Sequence, residues 1–187
     1  MKLNGEISEI CGALIGDGWI ENRGSSLYLS GHPTDDKDYY DNYIVPSFSK
    51  NVSKVKPRYF NYWGVYGFSL YNKKIIDQFL KLGIKKGKKV YSCRTPLWCF
   101  KSKNLMSGFL RGIFDTDGCV FCGKSYKTKN HFRKSYNHDI RIRIISTSLR
   151  LVKDIKLIGN KLDIGFTKIR IKKVNKYLNK NNKIAYI

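Results

Sequence analysis

The fold of this chain is decided by Leu110-Arg111-Gly112-Ile113-Phe114-Asp115-Thr116-Asp117-Gly118 and by a matching stretch one hundred positions earlier, Ile10-Cys11-Gly12-Ala13-Leu14-Ile15-Gly16-Asp17-Gly18. In both stretches apolar residues recur at helical spacing and an Asp-Gly pair follows them. A repeat of about half the chain predicts two similar units related by a pseudo-two-fold axis. Each unit would place one carboxylate, that of Asp17 or Asp117, at the end of an apolar helix.

Glycines lie four residues apart in both predicted helices. Gly12 and Gly16 share one side of the first helix, and Gly108 and Gly112 share one side of the second. Residues without a side chain let two backbones approach closely, so this spacing predicts a helix–helix seam. The alternative is two independent helices that glycine ends. The parallel spacing in both halves favours the shared seam.

The charge of the chain is strongly positive: 36 Lys and Arg stand against 14 Asp and Glu, which gives +22. A compact chain with this charge repels itself unless a polyanion is its usual partner, and nucleic acid is the leading choice. A membrane surface is the rival partner. However, the basic residues lie in loops and in strand-like alternation rather than on amphipathic helices.

Neither a membrane span nor a secretion signal is expected. No apolar run approaches the ~18 residues of a transmembrane helix. Glu6 and Glu9 interrupt any apolar core of a signal peptide at the N-terminus. The sequence therefore predicts an intracellular protein without membrane contact.

The cysteine pattern favours free thiols. Five cysteines are an odd number, which does not fit a disulfide framework. Cys119 and Cys122 form a C-x-x-C pair with Cys93 and Cys99 upstream, so a zinc site is the alternative. Residues three apart in a strand point to opposite faces, and this segment has strand character. We therefore expect buried free thiols.

The order of secondary-structure elements also repeats. Periodicity and turn residues predict helices at 3–16, 35–48 and 72–82 and strands at 19–20, 27–30, 58–63 and 65–70. In the second half they predict helices at 104–115 and 148–162 and strands at 119–124, 139–145, 166–174 and 183–187. The chain ends where a final helix of the second unit is expected. We predict an α+β fold with one unit at 1–84, a basic linker at 85–103 and a second unit at 104–187.

Two segments alternate apolar and basic residues: Ile140-Arg141-Ile142-Arg143-Ile144 and Lys168-Ile169-Arg170-Ile171-Lys172. In a strand, this alternation puts every Ile on one face, expected to pack on helices, and every basic side chain on the other. A two-stranded ribbon fits the major groove of DNA, where Arg and Lys pair with guanine edges. A solvated sheet face is the alternative. The absence of acids from the basic face favours nucleic acid.

With its two motifs, the chain resembles the LAGLIDADG homing endonuclease family in its single-chain form. The copy with Asp115, Asp117 and Gly118 is closer to the family pattern, and the preceding Ser107–Gly112 segment is also typical of it. In the first copy Ile15 replaces the earlier acid of the motif. The resemblance implies two αββαββα-type units whose motif helices pack together at the interface. Their antiparallel sheets would form a DNA-binding saddle.

The resemblance implies a monomeric, site-specific endonuclease that makes a staggered double-strand cut in a long asymmetric DNA target. Asp17 and Asp117 would be the catalytic metal ligands, with the carbonyls of Gly16 and Thr116 as further ligands. Mg²⁺ suits such oxygen ligands, Mn²⁺ could replace it, and Ca²⁺ would bind without cleavage. A simple turn is the alternative for one Asp-Gly. Two copies favour the metal site, and Asp115 would be structural.

The other candidate residues would contact DNA. Side chains on the sheet faces would read bases, and the basic loop after residue 123 would hold phosphates. Because the two halves differ in these residues, an asymmetric target is expected. The predicted DNA-binding residues are Tyr28, Ser30, His32, Arg58, Asn61, Lys124, Arg141, Arg143, Lys168, Arg170 and Lys172.

Two other functions stay open at this point. An RNA maturase, acting on its intron RNA, would use the same positive charge, and a DNA-binding regulator would use the same fold without chemistry. The two intact acids favour cleavage of double-stranded DNA. A piece of an intein is disfavoured, because the chain starts with Met1 and ends with Ala185-Tyr186-Ile187 instead of the residues that splicing needs.

Overall fold

The computed structural model describes residues 1–123, 139–173 and 184–186. The first half contains α1 (Gly5–Gly16), β1 (Trp19–Ile20), β2 (Leu27–Gly31), α2 (Lys37–Tyr39), α3 (Val45–Asn51), β3 (Arg58–Phe60), β4 (Val65–Leu70) and α4 (Lys73–Lys81). The second half contains α5 (Lys103–Asp117), β5 (Gly118–Gly123), β6 (Asp139–Ile144), α6 (Leu149–Lys161), β7 (Ile171–Lys173) and β8 (Ile184–Tyr186). This order, with antiparallel pairing of the strands, confirms the predicted α+β class.

Four helices begin at a polar side chain that accepts a backbone N–H from the first turn. The N-cap residues Asn4, Asn72, Ser102 and Ser148 start α1, α4, α5 and α6. Such caps satisfy donors that the helix itself leaves free, and each contributes about 1 kcal/mol. These caps place the helix starts within two residues of the sequence-based boundaries.

The helix predicted at 35–48 is interrupted. The chain forms α2, then a wide π-helical turn at Tyr40–Ile44, and then α3. Pro46 lies in the first turn of α3 and has no N–H to donate to the carbonyl four residues earlier, which accounts for the break. The wide turn places Tyr39 and Tyr40 close to the repeated motifs.

The first sheet has the strand order β1-β2-β4-β3, with all pairs antiparallel. Its inner face is buried and packs against Phe48 of α3 and Phe79 of α4. The strand register puts a different set of side chains on the outer face: Trp19, Tyr28, Ser30, Arg58, Phe60 and Ser69.

Within residues 104–123, 139–173 and 184–186, the second half has less sheet than the repeat predicts. β5 pairs with β6, β7 pairs with β8, and a bridge between Ser146 and Tyr186 links the two ribbons. Ile144 is buried, but Ile140 and Ile142 are each 68% exposed. The prediction that the whole Ile face packs on helices is therefore wrong for these two residues. A cleft of about 600 Å³ is lined by β6, by α6 and by Phe166, Thr167, Ile169 and Arg170.

The strand predicted at 166–174 is also wrong over most of its length, because only Ile171–Lys173 forms a strand. The preceding residues are held by α6 instead. The N–H of Ile164 donates to the carbonyl of Gly159 at 2.9 Å. Phe166 packs so closely on Gly159 that a Cβ there would lie 2.3 Å from its ring. Lys168 and Arg170 therefore lie outside any strand.

The cysteines only partly follow the prediction. All five are free thiols, but Cys11, Cys93 and Cys99 are buried whereas Cys119 and Cys122 are exposed on β5. The last two lie three residues apart in a paired strand and so point to opposite faces. Lys124 and the basic loop at 125–138 lie outside the described residues. No helix in the described part of the chain is long and apolar enough to cross a membrane.

Candidate active site

The two repeated stretches meet in a seam between α1 and α5. Glycine brings the two backbones into direct contact. A Cβ at Gly112 would lie 2.0 Å from the carbonyl oxygen of Glu9, and one at Gly12 would lie 2.4 Å from that of Phe109. No side chain fits at either position, which confirms the shared seam that the glycine spacing predicts.

The two helices run parallel along this seam. Near their N-termini, a Cβ at Gly5 would lie 2.7 Å from the side chain of Asn104, and near their C-termini one at Gly16 would lie 2.0 Å from that of Thr116. Both helices therefore end on the same side of the molecule. We call this side, with Asp17 and Asp117, the floor of the site.

The two motif carboxylates influence each other at the floor. Burial, and then the charges of Asp117 and Asp36, raise the pKa of Asp17 to about 7. Burial also raises the pKa of Asp117. Asp17 is exposed to water at the protein surface, so a ligand from solution can reach its carboxylate. Two carboxylates that repel each other favour a cation between them.

One cation from the protein already lies beside this pair. The ammonium of Lys89 donates to the carbonyl oxygens of Leu14 and Gly16, the latter at 3.1 Å. Carbonyls at a helix C-terminus attract positive charge. Burial lowers the pKa of Lys89 to about 8, although the charges of Asp117 and Asp17 oppose this shift.

The sequence did not identify Lys89. It ends the run Lys85-Lys86-Gly87-Lys88-Lys89, whose composition indicates only a basic linker. The structure turns this run back onto the first unit: the N–H of Gly87 donates to the carbonyl of Ile20 at 2.7 Å, and Gly87 has a φ of 68°. A glycine within a run of lysines was the one available sign of such a turn.

Two tyrosines at the start of the wide helical turn lie beside the floor. Both hydroxyls are buried; that of Tyr39 interacts with the carboxylate of Asp115, whereas that of Tyr40 has no hydrogen-bond partner in the described part of the chain. The charge of Asp17 adds to burial in raising the pKa of Tyr40, and that of Asp115 does so for Tyr39. Buried hydroxyls without a partner are rare, so that of Tyr40 is placed to bond a ligand or a bound water.

The predicted ligand set of a metal ion is only partly provided by side chains. In residues 1–123, 139–173 and 184–186, no three His, Cys, Asp or Glu residues are grouped to hold a metal. Asp17 and Asp117 could supply two ligands, and water and phosphate oxygens could supply the rest, as Mg²⁺ accepts. The mutual repulsion of the two acids and the unpaired hydroxyl of Tyr40 fit such an ion. The hydroxyl of Thr116 donates to the Gly112 carbonyl at 2.9 Å.

The structure separates the predicted DNA-binding residues into two surfaces. On the first sheet, Tyr28, Ser30 and Arg58 share the outer face, and Asn61 is exposed in the turn after β3. His32 follows β2, where its Nδ1 lies 3.1 Å from the hydroxyl of Thr34 in a local turn.

The second surface is the ribbon of β5 and β6. Arg141 and Arg143 lie on one face of β6, with Cys119 and Phe121 opposite them on β5. Arg143 lies over the ring of Phe121, 5.7 Å from its centroid. Lys168 and Arg170 are exposed beside the cleft, and Lys172 lies in β7.

Replacing Arg143 with Ala is expected to relax base preference at a few positions of a DNA target, by ~1–3 kcal/mol each. Its place on the ribbon face suits hydrogen bonds to base edges. Binding selections on a randomised duplex library would measure the preference, with Arg150→Ala on α6 as an exposed Arg control. A uniform loss of affinity for all sequences would instead make Arg143 a phosphate contact.

Comparison with known proteins agrees with this architecture. The family model described as a LAGLIDADG-like domain matches residues 104–185. No curated protein matches the chain.

Three solved structures illustrate the similarity in fold. One is the homing endonuclease I-DmoI in complex with DNA and Ca, at 12% identity and a TM-score of 0.59, covering 97% of this chain and 81% of that one. Another is the I-LtrWI LAGLIDADG homing endonuclease bound to target DNA, at 12% identity and a TM-score of 0.51, covering 97% and 77%. The third is the N-terminal LAGLIDADG domain of DUF199/WhiA, at 14% identity and a TM-score of 0.51, covering 97% and 73%.

The parallel glycine seam, the acids at its end and these matches agree with one another. They confirm the resemblance that the two motifs indicated: residues 104–185 match the LAGLIDADG-like domain, and the whole chain has the LAGLIDADG fold with both motifs in a single chain.

Proposed function

We propose that this protein is a site-specific endonuclease that makes a staggered double-strand cut in a long asymmetric DNA target by metal-dependent hydrolysis. The observation that carries the proposal is the pair of repelling carboxylates, Asp17 and Asp117, at the end of two parallel helices. The structural neighbours include the homing endonuclease I-DmoI in complex with DNA and Ca, and with DNA and Mn, which supports a divalent ion and DNA as the partners here too.

Each half of the active site would contribute one carboxylate. Divalent ions, with Mg²⁺ as the expected one, would supply an activated water and neutralise charge at the scissile phosphates. Asp17 and Asp117 would hold these ions from the two sides of the pseudo-two-fold axis. One chain thereby supplies both motifs, and we propose that it acts as a monomer.

Lys89 would stabilise negative charge beside the acids. Its ammonium is anchored by the carbonyls at the end of α1, so it needs little rearrangement when a phosphate arrives. Charge stabilisation by a group that is already in position is often the largest single contribution to catalysis. The hydroxyl of Tyr40 could orient water at the same floor.

Replacing Lys89 with Met is expected to slow cleavage by about 10²–10³-fold, the usual effect of removing one such stabilising group. Met keeps the aliphatic length and removes the charge. Single-turnover cleavage of a bound target would measure the rate, and Lys88→Met would be the neighbouring exposed control. An unchanged rate for Lys89→Met would leave the lysine with a structural role only.

The proposed activity is tested on a randomised duplex DNA library incubated with Mg²⁺, with Ca²⁺ or with a chelator, followed by sequencing of the cut ends. Staggered cuts at one long asymmetric sequence, seen only with Mg²⁺, would support the proposal and identify the target. Selective binding without cleavage would contradict it and favour a non-catalytic role.

A further inference from the structure

The ribbon of β5 and β6 has an open apolar face. Its strand register puts Val120, Ile140 and Ile142 on this face, opposite the face of the two β6 arginines. Val120 is 61% exposed, and Ile140 and Ile142 are each 68% exposed. Single exposed apolar side chains are ordinary on a protein surface, but a group of adjoining ones marks an interaction site.

Two clefts adjoin on this apolar face. The cleft of about 600 Å³ is lined by β6 and α6, and a second cleft of about 360 Å³ is lined by β6 and by Leu110 and Phe114 of α5. Ile142, Ile144 and Phe166 line both clefts, which therefore form one continuous depression. We call it the ribbon groove.

The first half shows what shape fits such a groove. Ile10 and Leu14 of α1, which precede Leu110 and Phe114 by one hundred positions, are 0% and 1% exposed. There, α4 covers the inner face of the sheet with the buried ring of Phe79. The described part of the second half has no helix in the corresponding place, and Leu110 and Phe114 are only partly buried. Because α5, β5, β6 and α6 repeat the order of α1, β1, β2 and α3, a helix is the element that matches the open groove.

The charge around the ribbon groove indicates the sign of that helix. Arg111, Lys156 and Arg170 line the groove, and Asp115 is the only acid among the described residues that do so. Basic side chains at the rim attract a helix with acidic flanks and repel one with basic flanks. A second copy of this chain is a poor occupant, because each copy carries a net charge of +22.

The rest of the sequence does not match this charge either. The two stretches outside the described residues, 124–138 and 174–183, contain Lys or Arg but no Asp or Glu. An occupant with acidic flanks therefore comes from a different protein.

We propose that the ribbon groove binds an acidic amphipathic helix of a partner protein. Its apolar side chains, spaced three or four residues apart, would fill the two clefts, and its carboxylates would face the basic rim. Since Arg141 and Arg143 lie on the opposite face of the ribbon, this partner would not displace DNA bound there. The inference does not rest on the proposed cleavage.

The probe that tests the proposal is a fluorescein-labelled synthetic peptide of about 14 residues, four helical turns, with Leu on one face and Glu on the other. One reference peptide has the same composition with the Leu residues spread around the helix, and another has Lys in place of Glu. Fluorescence anisotropy with the whole protein and a chelator measures binding. We expect saturable one-to-one binding of the first peptide, at least about tenfold tighter than that of either reference.

Two exposed thiols report which face of the ribbon is occupied. Cys122 is the strand partner of Ile140 on the groove face, whereas Cys119 is the partner of Arg143 on the other face. The other three cysteines are buried. The acidic peptide should slow the reaction of Cys122 with a maleimide and leave that of Cys119 unchanged. Mass spectrometry of the digested protein measures both reactions.

Variants of one groove residue test the contact itself. Ile142→Thr should weaken binding of the acidic peptide about tenfold, the effect of losing most of the burial of one Ile side chain. Thr is also β-branched, so the strand should be kept. Ile142→Glu should weaken binding further, because its carboxylate repels the peptide. The matched control is Ile171→Thr, since Ile171 is 67% exposed on β7 and lines neither cleft.

Four results would overturn the proposal. They are equal peptide affinity of wild-type protein and both Ile142 variants, equal or tighter binding of a reference peptide, equal protection of Cys119 and Cys122, or a stable dimer that Ile142→Glu dissociates. The last result, seen by light scattering, would give the groove to a second copy. Circular dichroism checks that each variant is folded, and the thiol test needs no variant at all. Because no step uses cleavage, a protein that fails to cut DNA could still bind the peptide, and one that binds no peptide could still cut.

Discussion

Replacing Asp117 with Asn is expected to abolish double-strand cleavage, and Asp17→Asn should do the same. The amide keeps the shape of the side chain but removes the charge that would hold a divalent ion. Because each half supplies only one of these acids, neither can substitute for the other. Loss of a metal ligand removes both the activated water and the neutralised charge, so we expect a rate loss of at least ~10³-fold.

DNA binding should survive both substitutions. Removing a negative charge from a surface that faces phosphates relieves repulsion, so affinity should stay the same or rise. Stability should not fall either: the raised pKa of Asp17 shows that the folded state disfavours its charged form at neutral pH, and a neutral amide lacks that charge. Gel-based cleavage, DNA binding with Ca²⁺ and thermal unfolding would measure the three effects separately.

The control for these acids is Asp163→Asn, which removes an equally negative side chain that is exposed beyond α6 and contacts Lys103 at 3.9 Å. It should cleave at the wild-type rate. Full cleavage by Asp17→Asn or Asp117→Asn would remove the metal assignment, whatever its effect on binding.

Replacing Gly112 with Ala is expected to lower the free energy of unfolding by about 3 kcal/mol, at the upper end of the cost of overpacking. Helix propensity alone predicts the opposite sign, since Ala is favoured over Gly in a helix interior by about 1 kcal/mol. The steric effect should win, because the new Cβ would lie 2.0 Å from the Glu9 carbonyl oxygen and 2.8 Å from the N of Ala13. These are backbone atoms, so the two helices would have to move apart.

Thermal unfolding measures this effect, and a loss of that size corresponds to roughly 6–12 °C for a chain of this length. Gly165→Ala is the matched control, because a Cβ there meets no atom within 4 Å. A melting temperature for Gly112→Ala equal to that of the control would mean that the seam is looser than the structure shows. Because the seam positions both acids, cleavage should fall along with stability.

Features that depend on local pattern were predictable from the sequence. The four-residue spacing of Gly12 and Gly16, and of Gly108 and Gly112, predicted the seam, since a close helix contact requires small residues at regular intervals along both helices. Alternation and turn residues predicted the first sheet within a few residues, and Gly64 has the left-handed φ of 62° that its hairpin needs. The repeat also predicted that Asp17 and Asp117 lie at the ends of two helices. Their role as metal ligands and the boundaries of the two units stay predictions.

Features that depend on long-range contacts were not predictable. Lys89 reaches the floor because the linker folds back onto the first unit at Gly87. The direction of this turn cannot be predicted from a run of lysines. Residues 166–170 alternate like a strand, yet Phe166 packs on Gly159 of α6, and this tertiary contact overrides the local preference. The ring cluster on the outer face of the first sheet was not predicted, because its members Trp19, Tyr28, Phe60, Trp63 and Tyr71 come from four separate segments of sequence.

The linker also restricts how the gene can vary in length. Surface loops usually tolerate insertions, because a longer loop adds little entropic cost. This linker is fixed at both ends: Gly87 bonds to the first half, and the carbonyl of Cys93 accepts the Ser148 hydroxyl of the second half at 2.6 Å. An insertion on either side of Lys89 would shift its ammonium from the carbonyls of Leu14 and Gly16. Related chains of variable length should therefore accumulate their insertions in other loops and keep this segment constant.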